Sequence, residues 1–129
     1  MIEILPAPPQ VAAFRFDGML TADDYDRCIA EIETRLSRHP RIGLYCDMRG
    51  FSGITPPALA RDLRYSLGKI GEYHRFARGA IVTGQAWLGA VSEFAGRFFP
   101  QTEIRAFAAD EAAQAMAWVA AVEPGAAPG

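Results

Sequence analysis

Asp47, Arg49, Ser52 and Thr55 crowd one short stretch that leads into a helix with Pro56 at its first position. A helix start carries unpaired N–H groups and the positive end of the helix dipole, so hydroxyls and an arginine beside it suit an anion. The same residues have a plainer use, because Asp47 and Thr55 can cap the helix and order the turn. Thr83, Gln85 and Trp87 follow a second apolar run and add polar groups and an aromatic face. In open parallel sheets ligands gather outside the carboxyl ends of the strands. Ligand or partner contact is therefore expected at Asp47, Arg49, Ser52, Thr55, Thr83, Gln85 and Trp87.

Other residue clusters point to weaker chemistry. Arg61, Arg64, Lys69, His74, Arg75 and Arg78 form a basic run with Tyr65, Tyr73 and Phe76 interleaved. It suits an acidic partner or an anionic membrane surface, or simply a solvated helix face. Trp87, Phe94, Phe98 and Phe99 could line an apolar pocket or a homodimer surface; at helical spacing the first three also read as plain core. Catalysis has little to stand on. His39 and His74 are not tied by spacing to Cys28, Cys46 or a serine, and no nucleophile-elbow, phosphate-loop or zinc-protease motif occurs. No metal-ligand cluster is visible and no cofactor is expected. Cys28 and Cys46 sit in apolar stretches and read as buried reduced thiols.

The elements that must position these residues follow from periodicity. Ile2 to Leu5 is a short edge strand stopped by prolines, and Val11 to Asp17 a second strand closed by Gly18. Thr21 and Asp24 form a capping box for a helix whose inner stripe is Ala22, Tyr25, Ile29, Ile32 and Leu36. Asp23–Arg27 and Glu31–Arg35 are i,i+4 pairs on its wet side. Arg41 to Met48 is apolar on both faces, as a central parallel strand is, and a glycine-containing turn, Arg49 to Ile54, follows. Thr55 caps a second helix with Leu59, Leu63, Leu67 and Ile70 as its inner stripe. Phe76 to Thr83 is a fourth strand and Gln85 to Phe99 a third helix. Glu103 to Phe107 is the last strand, and Asp110 caps a final helix with Ala112, Met116 and Val119 inward.

Strands alternating with helices imply an α/β fold: a five-stranded, mostly parallel sheet with the first strand antiparallel at the edge, and four helices. The 129 residues suffice for one domain, expected over 1–122 with a flexible tail at 123–129. A net charge of −2 gives no case for nucleic acid. Met1 to Pro9 lacks the basic start and apolar run of a signal peptide, and no run reaches the ~18 apolar residues of a membrane span. A cytoplasmic protein without a transmembrane segment is the expectation.

Four segments, Gly18-Met-Leu-Thr-Ala-Asp-Asp-Tyr25, Leu44-Tyr-Cys-Asp-Met-Arg-Gly-Phe51 with Gly53, Ala80-Ile-Val82, and Phe107 with Ala115-Met-Ala-Trp118, carry a family likeness in their order and spacing. Over roughly positions 2 to 120 the chain resembles the SpoIIAA-like family, grouped with STAS and SEC14 (CRAL-TRIO) domains. The resemblance implies a sheet layered with helices and a non-catalytic binding or interaction module. STAS relatives include anti-sigma-factor antagonists, which bind a partner kinase and are switched by phosphorylation of a serine in an Asp-Ser-Ser/Thr-Gly-like motif. Here the turn reads Arg49-Gly-Phe-Ser-Gly-Ile-Thr55, so Ser52 is the candidate phosphosite, without the preceding aspartate or paired hydroxyl. SEC14 relatives enclose a lipid, which implies as an alternative a carrier or sensor of a small apolar ligand, the second helix acting as a lid over Leu59, Leu63 and Leu67. A further alternative is an unrecognised enzyme. The partner is thus a protein, or a small apolar or anionic ligand.

Overall fold

The computed structural model describes residues 1–69, 74–86, 88, 93 and 102–121. Five strands, β1 (Ile2–Ile4), β2 (Val11–Leu20), β3 (Ile42–Ile54), β4 (Phe76–Val82) and β5 (Glu103–Phe107), lie side by side in chain order. β1 pairs antiparallel with β2, and the other neighbours are parallel. The described residues hold three helices, α1 (Ala22–Leu36), α2 (Pro56–Gly68) and α3 (Ala112–Ala120), where four were expected. The span 85–99, the missing one, falls largely outside the described residues, as do Trp87, Phe94, Phe98, Phe99, Ile70 and the tail 122–129.

Alternation along each strand splits the core in two. Ala12, Phe14 and Phe16 of β2 and Ile42 of β3 pack with Cys28, Ile32 and Leu36 of α1. Val11, Ala13, Tyr45, Ala80, Val82 and Phe107 face the other way, against Ala115 and Val119 of α3. Because both faces are covered, β2 and β3 carry near-continuous apolar runs. α3 passes close over Gly43. A Cβ there would stand 2.6 Å from Val119 Cγ2 and 2.8 Å from its carbonyl oxygen.

Local signals placed α1 correctly. Thr21 accepts from the Asp24 N–H at 3.2 Å, and Asp24 accepts from the Thr21 N–H at 3.0 Å, closing the capping box. Arg35 meets Glu31 at 3.5 Å, but Arg27 reaches across to donate to the Ile2 carbonyl at 3.3 Å instead of pairing with Asp23. At α3 the N-cap is Glu111, not Asp110; the Glu111 carboxylate turns back to accept from the Ala108 N–H at 2.7 Å.

Three expectations fail for one reason, that tertiary pairing overrides local composition. Gly18 does not end β2; at φ +65° it stays paired with Phe51, the register then skips Ser52 on β3, and Met19 and Leu20 pair with Gly53 and Ile54. The stretch 49–54 is not a turn but the continuation of β3, held by that same ladder. The stripe of α2 is inverted: Leu59, Leu63 and Leu67 are 46%, 57% and 68% exposed. Ala58 is instead buried, and Tyr65 packs against the core. Polar side chains turn toward α1, where Tyr25 Oη donates to Asp62, Arg61 pairs with Asp26, and Lys69 meets Glu33 at 2.8 Å.

Candidate functional site

β2 and β3 run on past the end of β4, since Asp47 is level with Val82, the last residue of β4. That overhang brings Asp47 and Arg49 beside the segments leaving β4 and β5. Asp47 is 2% exposed, a depth at which a carboxylate must be paired. Arg49 supplies the pair, donating from Nε to Oδ1 at 2.9 Å and from Nη2 to Oδ2 at 2.6 Å, while its own backbone N–H reaches Oδ1 at 3.1 Å. Arg15, the register partner of Asp47 on β2, stands 3.5 Å from Oδ2. Arg49's hydrogen bonds hold the Asp47 carboxyl below the usual aspartate range, and Asp47 in turn raises the guanidinium. The Arg49 fork also donates from Nη1 to the Ala109 carbonyl at 3.0 Å, tying β3 to the segment after β5.

Thr83 and Gln85 complete the scaffold. The Thr83 N–H donates to the Phe107 carbonyl at 3.1 Å, joining the ends of β4 and β5. Its hydroxyl accepts from the Gln85 N–H at 3.0 Å, and Gln85 Nε2 donates to the Phe51 carbonyl at 3.4 Å. Against this frame opens a cleft of about 690 Å³, lined by Thr83, Gly84, Gln85 and Ala86 on one side and Ala106 to Asp110 on the other, with Glu93 at the edge. It lies at the carboxyl ends of parallel strands, as topology requires of a ligand site. Glu93 accepts from the Ala106 N–H at 3.1 Å, satisfying a donor on the outer edge of β5.

The structure thus gathers four of the expected residues, Asp47, Arg49, Thr83 and Gln85, at one end of the sheet. Ser52 is exposed on β3, not at a helix start, and Thr55 is the N-cap of α2, accepting from the Ala58 N–H at 3.3 Å. Trp87 lies outside the described residues. Asp47 caps no helix; it is the counter-ion of Arg49. The wall at 106–110 escaped the sequence reading as a site because its alanines carry no chemical signal.

The basic run is dispersed. Arg61 and Lys69 are paired with Asp26 and Glu33. Arg75 donates to the carbonyls of Leu36, His39 and Pro40, and Arg78 to that of Trp118 at 2.8 Å while lying 4.8 Å over its ring. Four of the six are thus engaged with carboxylates or with carbonyls at the ends of α1 and α3, and Arg64 and His74 are the exposed members, so the run does not form one charged surface. A second hollow, about 220 Å³ and mainly apolar, sits between α1, α2 and the sheet, bordered by Tyr25, Ile32, Leu44, Tyr65, Phe76 and Ile104. Burial pushes the Cys46 thiol up to about 12 and raises Cys28 as well, so both stay protonated at neutral pH. Among the described residues no group of His, Cys, Asp or Glu is arranged to hold a metal ion, and no helix is long and apolar enough to cross a membrane.

Comparison with known proteins agrees with this architecture. No curated protein matches the chain. A crystal structure of an uncharacterized protein from the DUF3478 family with a SpoIIAA-like fold, from Shewanella loihica PV-4, is similar, with a TM-score of 0.72 and 25% identity over 92% of each chain. The family model named SpoIIAA-like matches residues 11–120. On that match, which spans most of the sequence, the chain belongs to the SpoIIAA-like family.

Proposed function

We propose that this SpoIIAA-like, STAS-like domain is a binding module that receives a partner segment or a small polar ligand in the cleft at the carboxyl ends of β4 and β5. The observation that carries the reading is the cleft itself. Its volume falls in the ~300–1,000 Å³ range of ligand sites, and it stands where the sheet topology leaves strand ends open. Its lining offers a hydroxyl, an amide and main-chain groups. Its charged members are Glu93 and Asp110, with no cation among the described lining residues. Arg49, at the same end of the sheet, is spent on Asp47 and Ala109. A neutral or cationic hydrogen-bonding group therefore fits better than the anion that the sequence suggested. A binding role rather than a catalytic one is supported by the state of the reactive groups: the ionised Asp47 carboxylate is engaged by Arg49 and both thiols are held protonated.

Amide NMR of the labelled protein, titrated with a library of small polar fragments, tests the proposal. Shifts should concentrate on Thr83, Gln85 and residues 106–110. Shifts confined to Tyr65, Phe76 and Ile104, or none at millimolar fragment, would refute it. The hollow beneath α2 favours a second reading, a carrier of a small apolar molecule; at about 220 Å³ it is below the size of a typical drug-like site. Native mass spectrometry distinguishes this, since a carrier retains an adduct from expression. Ser52 is exposed and so open to a kinase; peptide mapping after incubation with one decides the phospho-switch.

A further inference from the structure

The outer face of α2 is the least explained surface of the molecule. Amphipathic helices bury their apolar stripe, yet here Leu59, Leu63 and Leu67 point to solvent while Asp62, Arg61 and Lys69 turn toward α1. Ala60 and Pro57 are also exposed on this helix, and of its charged residues Arg64 is exposed while Arg61 and Asp62 are half-buried. We infer that this face is a homodimer surface, occupied by α2 of a second copy of this chain.

Three features select that occupant. Leucines at i, i+4 and i+8 form a ridge symmetric about Leu63. In an antiparallel pair about a twofold axis at Leu63, Leu59 meets Leu67 of the second copy, so the surface is self-complementary, as an isologous interface requires. The flanking charges Arg61 and Lys69 are already paired with Asp26 and Glu33, which leaves Arg64 as the exposed charge of α2 that two copies must set aside toward solvent. An anionic lipid surface would instead draw on several unpaired flanking cations, and among the described residues of α2 Arg64 is the only exposed cation. The area also fits a weak dimer. From their exposures the three leucines present on the order of 300 Å² per copy, and with the adjoining residues a twofold pairing buries roughly 1,000 Å² in all, the lower edge of specific interfaces.

Sedimentation velocity of the full chain from about 5 to 300 µM tests this. The weight-average mass should rise from 14.0 kDa toward twice that value, and Leu63→Glu should hold it at the monomer mass. Circular dichroism of the variant confirms that it is folded. Independently, Leu63→Cys should cross-link under mild oxidation at 100 µM, and Gln114→Cys, exposed on α3, should not. A monomer at every concentration, a dimer indifferent to Leu63→Glu, equal cross-linking at both positions, or a monomer that instead floats with phosphatidylglycerol vesicles would each overturn the inference.

Discussion

Replacing Asp47 by asparagine removes the charge from a buried, ion-paired carboxylate at this end of the sheet. Asp47 is 2% exposed and accepts three hydrogen bonds from Arg49. Asparagine keeps an acceptor for the backbone N–H but sets an NH2 group against the guanidinium. Hydrogen bonds to charged groups are worth about 1.5–3 kcal/mol, and losing one partner of a fully buried pair costs about 3–5 kcal/mol. The Arg49 side chain is 40% exposed and can rehydrate, so the lower range applies: about 2 kcal/mol at pH 7. For a domain of this size that lowers Tm by roughly 6–10 °C. The loss also depends on pH. Arg49 holds the Asp47 carboxyl below its ordinary 3.8, so folding favours the ionised form. That gain is complete well above 3.8 and disappears as pH falls through the folded-state value. Urea unfolding of both proteins at pH 7, 5 and 3 should show a gap constant from pH 7 to 5 and narrower at pH 3. A gap equally wide at pH 3, or none at pH 7, would refute the assignment of Asp47 as a paired, ionised group.

Other substitutions test the packing. Gly43→Ala should cost about 2–3 kcal/mol in urea melts, because the new methyl meets the Val119 backbone, which cannot move without lifting α3. Leu63→Glu, measured at a few micromolar, should change stability by less than about 0.5 kcal/mol, whereas Phe14→Ala, at 1% exposure, should cost about 3–5 kcal/mol. Equal costs at the two sites would show that α2 buries its leucines after all. With Cys46 near 12, an aromatic disulfide reagent at pH 8 should modify the native thiols on the order of a thousandfold more slowly than those of the chain in guanidinium.

The sheet and α1 were legible in the sequence because their signals are local. A capping box, a 3.6-residue stripe and doubly apolar strands each act within a few residues. What escaped detection depends on partners far along the chain. Residues 49–54 look like a turn, rich in Gly and Ser, and become strand because β2 supplies a ladder as far as Leu20. The periodicity of α2 announced a stripe of leucines but not its direction. That direction follows from Tyr25, Asp26 and Glu33 on α1, which satisfy the polar side of α2. At the site, the rule that ligands meet strand ends picked out Thr83 and Gln85. It could not foresee that Arg49 would be spent on Asp47, which changes the charge the cleft prefers. The alanines opposite, contributing only backbone and shape, left no trace in composition.

The cleft can be closed without touching the core. Ala108 is exposed on its wall, and Ala108→Trp would fill part of the volume while leaving the strand pairing intact. Fragments that shift Thr83 and Gln85 in the wild-type protein should lose their effect in this variant, with affinity reduced at least tenfold and the remaining amide spectrum unchanged. Undiminished binding to the filled variant would contradict the claim that this domain works through the strand ends of β4 and β5.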